Sequence, residues 1–183
     1  VATINALSGN PAFSVFNTSV TLLNMLVVVT DVTGYGILAS SANVTISSVN
    51  VKIASPGGSI LTAGISITSY NAVSYSTIAG GLKIVGQGSA VSWSTMTSSA
   101  YALDLANGAS FNTITQSYMS SLTSYAAFLE TNANSNTISW STITSNSASS
   151  ALYLSAASSN TITRSFIANP AGFGARLAPN SGY

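Results

Sequence analysis

The sequence contains no cysteine and no histidine among its 183 residues. Without cysteine there is no disulfide framework and no thiolate metal site. Without histidine the chain lacks the most common general base and the most common metal ligand of proteins. The sequence therefore predicts no catalytic residue, no metal site and no cofactor.

Charge is also scarce, at 4% of the residues, against about 25% in an ordinary soluble domain. The net charge is +1, which argues against nucleic-acid binding because phosphate neutralisation needs clustered Lys and Arg. It also argues against electrostatic binding to anionic membranes. The seven charged residues are Asp31, Lys52, Lys83, Asp104, Glu130, Arg164 and Arg176.

Long hydrophobic runs are missing as well. The most apolar stretch, residues 22–29 (LLNMLVVV), is far shorter than the roughly 20 residues that span a bilayer, so it predicts a buried strand and no membrane span. With 46% hydrophobic residues, the chain is nevertheless too apolar to be disordered. A hydroxyl-rich composition without cysteine and with little charge favours an extracellular or cell-surface protein.

A 24-residue repeat organises the C-terminal half. The triplet Asn-Thr-Ile occurs at residues 112–114, 136–138 and 160–162. Each isoleucine is followed five positions later by an apolar residue and preceded eight or nine positions earlier by a leucine, a series that reaches Leu177. The pattern predicts a stacked ladder whose members are Asn112, Asn136, Asn160, Ile114, Ile138, Ile162, Met119, Ile143, Ile167, Leu105, Leu129 and Leu154.

The pattern continues upstream with looser spacing. It predicts six full coils and a partial seventh in one domain over residues 1–183. Residues 36–183 form the coils, and residues 1–35 form a less regular segment that leads into the stack or caps it. The predicted upstream matches are Val91 with Met96, Val73 with Ile78, Ile46 with Val51 and, as a first coil, Val20 with Met25; the leucine column continues through Ile84, Ile67 and Leu38.

Strand-forming residues dominate each unit. Val, Ile, Thr and Tyr abound while Glu, Lys, Gln and Arg are nearly absent, which favours strands, and no segment has a helical period of useful length. Stacking buries apolar columns that one coil alone would expose. The sequence therefore predicts an all-β, single-stranded parallel β-helix of about six to seven coils, roughly 30–35 Å tall at about 4.8 Å per coil. A leucine-rich repeat lacks its LxxLxLxxN core here, and a sandwich would space its strands by about 8–12 residues.

The unit Asn-Thr-Ile-x-x-Ser-x-Ile/Met, followed by a small-residue bend and a leucine strand, resembles the repeats of the pectin-lyase-like and NosD-like superfamily. The resemblance covers about residues 36–177. It implies a right-handed parallel β-helix. It implies little about function, because the superfamily includes polysaccharide lyases, phage tailspikes, adhesins and secreted repeat proteins.

The repeated asparagines allow two interpretations. Each precedes a strand, where asparagine tolerates the left-handed conformation that turns the chain. Stacked one above another, their amides would also hydrogen-bond along the column. A structural ladder is favoured over a binding role.

One outward column carries charge. Lys83 and Asp104 occupy the middle of matching strands, which predicts a surface ion pair worth under about 1 kcal/mol. The same column continues through Phe128, Tyr153 and Arg176, with a cation–π contact expected between the last two. The aromatic residues beside this charge pair are a candidate interface patch, although the interpretation that large side chains simply cover the stack is favoured.

A second outward column lies two residues after the isoleucine position, at a turn. It contains Tyr75, Trp93, Gln116, Trp140 and Arg164. Aromatic ridges of this kind stack on sugar rings and also anchor protein interfaces. The sequence does not choose between glycan and protein.

Three functions follow from these features. The favoured one is a non-enzymatic extracellular structural protein that assembles head to tail with itself, or continues into further repeats of a longer chain, because the pattern stops mid-coil and leaves a strand edge unpaired. The second is an adhesin or glycan-binding module that uses Trp93 and Trp140. The third is a degenerate lyase-like enzyme, which three carboxylates in the whole chain make unfavourable.

Overall fold

The computed structural model describes residues 2–5 (backbone only), 10–29, 34–54, 63–179 and 181. All regular secondary structure in these ranges is β-strand. The strands are β1 (Ala2–Asn5), β2 (Phe13–Val15), β3 (Thr21–Leu23), β4 (Met25–Val29), β5 (Tyr35–Ala39), β6 (Thr45–Ser47), β7 (Asn50–Ile53), β8 (Ala63–Ile67), β9 (Ala72–Ser74), β10 (Thr77–Ala79), β11 (Leu82–Ile84), β12 (Ala90–Ser92), β13 (Thr95–Ser98), β14 (Leu103–Leu105), β15 (Thr113–Thr115), β16 (Tyr118–Ser121), β17 (Ala127–Leu129), β18 (Thr137–Ser139), β19 (Thr142–Ser145), β20 (Ser150–Leu154), β21 (Thr161–Thr163), β22 (Phe166–Ala168) and β23 (Phe173–Leu177).

Every third strand joins the same sheet. The first sheet has the order β1-β4-β7-β10-β13-β16-β19-β22, the second β2-β5-β8-β11-β14-β17-β20-β23 and the third β3-β6-β9-β12-β15-β18-β21. Neighbouring strands run parallel throughout. The predicted fold class is therefore confirmed: the chain is a right-handed parallel β-solenoid with a period near 24 residues.

The predicted columns form the core between the three sheets. Ile114 pairs in register with Ile138, and Ile138 with Ile162. The other two columns have the same order, Met119–Ile143–Ile167 in the first sheet and Leu105–Leu129–Leu154–Leu177 in the second. Middle members of each column are fully buried, whereas Ile162 and Ile167 of the last coil are only half-buried.

The upstream register differs from the sequence prediction by two residues. Leu22 pairs with Ile46, and Val27 pairs with Val51, so the predicted first coil of Val20 and Met25 is wrong. A shift of two residues keeps every inward side chain inward. Because residues 22–29 are apolar at nearly every position, the alternation of inward and outward side chains does not distinguish between the two registers.

Two further expectations in this region are corrected. Ala39, and not Leu38, pairs with Ile67 in the second sheet, because the inward position is occupied by a small residue that a search for large side chains overlooks. Residues 22–29 do not form one strand. They are divided between β3 and β4 by a corner at Asn24, whose φ is 53°.

The N-terminal strands belong to the same sheets as the coils that follow. Strand β1 pairs with β4, and β2 pairs with β5. The expected division into a leading segment, residues 1–35, and coils, residues 36–183, stays a prediction. Asp31 lies outside the described residues.

The last strands of the three sheets, β21, β22 and β23, form an end surface that we call the C-terminal face. Phe173 and Leu177 are 62% and 61% exposed there, whereas Phe166 occupies an outward position beside Thr142. Leu177 continues the buried leucine column, since it pairs with Leu154. In the described structure this face therefore exposes apolar core positions and one unpaired edge of each terminal strand.

Candidate functional site: an aromatic corner

The corner between the third and first sheets is turned in each coil by a single residue with positive φ. Such a backbone conformation costs an L-residue about 1–2 kcal/mol relative to the right-handed region, and here it directs the side chain outward. Seven successive coils repeat the turn with φ between 48° and 55°, at Asn24, Ser48, Tyr75, Trp93, Gln116, Trp140 and Arg164.

We call the last five of these residues, Tyr75, Trp93, Gln116, Trp140 and Arg164, the aromatic corner. Its three aromatic side chains are 52–63% exposed. The rings of Tyr75 and Trp93 are stacked, with centroids 6.3 Å apart and an interplanar angle of 5°. The guanidinium carbon of Arg164 lies over Trp140, 4.8 Å from the ring centroid. The predicted corner column is therefore present, with two pairs of contacting side chains on either side of Gln116.

An open cleft of about 440 Å³ is lined by both tryptophans. Its polar lining includes side chains from three successive coils, and none of its residues is charged. The lining residues are Trp93, Ser94, Thr95, Gln116, Ser117, Tyr118, Trp140 and Thr142.

Next to the corner, a column of serines forms hydrogen bonds with the backbone of neighbouring coils. Ser94 Oγ donates to the carbonyl of Ser92 (2.8 Å) and accepts from the backbone N–H of Ser76 (3.3 Å). The next coils repeat both bonds through Ser117, Ser141 and Ser165. The sequence analysis includes this serine in the repeat unit, three positions after each isoleucine, but assigns it no role. These bonds fix the backbone on which the corner side chains stand.

The asparagine column lies at the other end of the third sheet. Asn160 Oδ1 accepts from both the backbone N–H (2.9 Å) and Nδ2 (3.1 Å) of Asn136. Upstream, Asn112 Oδ1 accepts from the N–H of Ser89, and Asn71 Oδ1 accepts from that of Val44. The geometry is that of the structural ladder. Asn71 belongs to it as well, which the 24-residue spacing did not indicate.

The ion pair of the second sheet is present, with Lys83 Nζ 3.0 Å from Asp104 Oδ2. It is not the predicted surface pair, because the side chain of Asp104 is only 10% exposed. A side chain that points outward from a strand can still be buried by its neighbours. Phe128 lies beside Asp104 in the next coil, and Tyr101, in the loop before β14, contacts Phe128 with ring centroids 5.0 Å apart.

Burial governs the titration of this pair. It raises the pKa of Asp104 to about 6, against the hydrogen bond and the charge of Lys83, and the nearby carboxylate of Glu130 raises it further. Asp104 Oδ1 has no hydrogen-bond partner among the described residues. Burial lowers the pKa of Lys83, but its hydrogen bond and attraction to Asp104 dominate, so that pKa is raised.

The rest of this outward column forms a packed aromatic cluster. Phe128 and Tyr153 are stacked at 5.5 Å, and Tyr125 contacts both rings at 5.3 and 4.7 Å. Arg176 lies over Tyr153 at 5.6 Å, as the cation–π prediction requires. Phe128 and Tyr153 are half-buried. The proposed interface patch is therefore already covered in part by its own neighbours.

Neither region has the arrangement of a metal site. Among the described residues no group of three or more His, Cys, Asp or Glu side chains is placed to hold a metal ion. Within the same ranges no helix is long and apolar enough to cross a membrane. Of the surfaces described, the aromatic corner has the more exposed side chains and the open cleft.

A scan against family models finds no match for this chain, and comparisons with curated proteins and with solved structures find none either. The superfamily resemblance of the repeat unit stays a prediction.

Proposed function

We propose that this chain is a non-enzymatic structural subunit of an extracellular or cell-surface fibre, and that copies associate end to end through the C-terminal face. The observation that carries the proposal is the edge of β21, β22 and β23, which no described strand pairs with and which exposes Phe173 and Leu177. An exposed strand edge is a template for another strand, and three parallel edges on one face favour a stacked partner.

The direction of the ladders supports the same arrangement. Each coil donates a backbone N–H to a side-chain oxygen of the next coil, as Asn136 does to Asn160 and Ser141 to Ser165. At Asn160 and Ser165 no described residue supplies the next oxygen. A further β-solenoid layer would satisfy both donors and bury Leu177. A head-to-tail contact of this kind is heterologous, and heterologous contacts that do not close produce filaments.

Composition supports the fibre setting. With seven charged residues and a net charge of +1, copies stacked end to end repel one another little. The absence of cysteine and histidine from the chain, with three carboxylates in all, favours a scaffold over a degenerate lyase-like enzyme. The extracellular setting is proposed on the hydroxyl-rich composition.

Electron microscopy and sedimentation velocity of the purified chain test the proposal. We expect filaments with a subunit rise near the height of one stack, roughly 35–40 Å for sheets of seven or eight strands at about 4.8 Å per coil. Monodisperse single particles at high protein concentration would contradict it.

A matched pair of variants locates the contact. Leu177→Lys places a charge on the C-terminal face, and Leu122→Lys places one on the flank, at a leucine that is 69% exposed. Both side chains are exposed in the single chain, so both variants should fold. Filaments should disappear only with Leu177→Lys, and equal loss in both variants would show that the C-terminal face is not the contact.

A further inference from the structure

The cleft of the aromatic corner is flanked by two indole rings whose other sides are occupied. Tyr75 stacks on Trp93, and Arg164 lies over Trp140. Gln116 lies between the two tryptophans along the column, and all three residues line the cleft. The indoles are therefore held by their outer neighbours, and the cleft that they line with Gln116 is open to the surface.

The two tryptophans are close enough for one bound ligand to contact both rings. They are two coils apart, which corresponds to about 10 Å at the usual spacing between strands. A ring stacked on one indole needs about 3.5–4.0 Å for van der Waals contact, and Gln116 occupies the corner of the coil between the two indoles. A ligand of linked rings in the cleft therefore contacts both tryptophans beside Gln116, and not as one ring between their faces.

The remaining lining defines the chemistry of that ligand. Thr95, Gln116, Tyr118 and Thr142 offer hydroxyl and amide groups that both donate and accept hydrogen bonds. The amide of Gln116 is exposed and makes no hydrogen bond with a described residue. Because no charged side chain lines the cleft, it suits a neutral ligand with a polar rim and apolar ring faces.

The backbone gives an independent reason to assign a role to these side chains. Trp93 and Trp140 have φ of 50° and 52°, in a region where a bulky residue is strained and asparagine or glycine is less so. Asn24 turns the same corner in an earlier coil. The turn therefore does not require tryptophan, and strained positions often coincide with functional sites.

We propose that this cleft binds a neutral glycan, with its pyranose rings against Trp93 and Trp140 and its hydroxyl rim hydrogen-bonded to Gln116. A pyranose has apolar faces and a periphery of hydroxyl groups, and aromatic side chains with a polar handle suit such partly wet contacts. The site is lateral, so binding does not rest on end-to-end assembly.

Intrinsic fluorescence tests the proposal directly, because the chain has only two tryptophans and both line the cleft. The probes are cellohexaose, mannohexaose, maltohexaose and fully acetylated chitohexaose, followed by an array of other neutral glycans. At least one neutral glycan should produce a saturable change in emission. No binding by any neutral glycan, or binding of acidic glycans alone, would overturn the proposal.

Variants then assign the contacts by calorimetric titration with the best glycan. Trp93→Ala and Trp140→Ala should each weaken binding about tenfold, as expected for the loss of one aromatic stacking contact, and the double variant should abolish it. The matched control is Phe111→Ala, which removes an exposed aromatic residue with φ of 58° from a different corner. Equal loss in the control, or full binding by the double variant, would refute the assignment.

Glycan binding and end-to-end assembly are tested independently. Leu177→Lys should bind the glycan as the unsubstituted chain does, whether or not filaments form. Weaker binding by that variant would show that the glycan contacts the C-terminal face and would contradict the assignment to the cleft.

Discussion

Asn136 Oδ1 accepts two hydrogen bonds from Asn112 one coil earlier, from the backbone N–H at 2.9 Å and from the side-chain Nδ2 at 3.1 Å. Asn136 in turn donates from its own Nδ2 to the carbonyl of Ala109 at 2.9 Å. One buried side chain thus satisfies three polar groups of the preceding coil. The left-handed residue before it, Ser135, has φ of 57°, so the ladder also fixes the corner.

Replacing Asn136 with alanine should destabilise the fold by about 2–4 kcal/mol, because buried donors and an acceptor lose their partners. Chemical denaturation followed by circular dichroism measures the change. Asn146→Ala is the matched control, since Asn146 is exposed and its side chain makes no hydrogen bond with a described residue. Similar losses for both variants would show that the ladder adds nothing specific.

Substitutions at Ile138 test the contribution of the apolar core column to stability. It is 1% exposed and lies between Ile114 and Ile162. Ile138→Ala should cost about 2–5 kcal/mol through lost burial and a residual cavity. Ile138→Asp should prevent folding, because it buries an unpaired charge. Leu122→Ala, on the flank, should change the stability little, and a native-like melt of Ile138→Asp would refute the column assignment.

The sequence determines this fold well where its repeat is regular. From Asn112 onward the step of 24 residues fixes three columns at once, and the structure has the same register. Upstream, the run around Leu22 is apolar at nearly every position, so several registers bury equally good side chains. Only the neighbouring coils choose among them, and that information is not local.

The sites were less predictable for a different reason. Strand parity correctly places Asp104 opposite Lys83, but it does not reveal that Tyr101 and Phe128 cover the pair. Burial depends on loops whose path the repeat does not encode. The spacing places Tyr75 and Trp93 in one column, whereas the cleft depends on the small side chains beside that column, such as Ser94, Ser117 and Thr142.

The left-handed corner predicts that a change at Gln116 stabilises the chain. Its φ is 48°, and asparagine adopts this conformation more readily than glutamine. Gln116→Asn should raise the free energy of unfolding by a few tenths to about 1 kcal/mol. The same residue at Thr113, in the extended strand β15, should lower it, because asparagine disfavours strands. A destabilised Gln116→Asn variant would show that this corner is not strained.

Asp104 should make the stability of the chain fall as the pH rises from about 4 to about 6. Burial raises its pKa from 3.8 to about 6 in the folded state, so within that window the native state holds a proton that the unfolded chain has released. Stability then decreases with increasing pH, by on the order of 1–3 kcal/mol, and levels off above the folded pKa. Lys83 stays charged throughout, because its own pKa is raised.

The composition makes this titration unusually easy to isolate. The chain has no histidine and only two other carboxylate side chains, Asp31 and Glu130, so the difference between the unsubstituted chain and Asp104→Asn reports on Asp104. Asparagine mimics the protonated carboxyl, so the stability of the variant should change little between pH 4 and pH 6, and the unsubstituted chain should lose stability relative to it as the pH rises. Urea denaturation at half-unit pH steps measures both curves. Parallel curves, or a stability of the unsubstituted chain that rises through this window, would mean that the charge of Lys83 outweighs burial at Asp104.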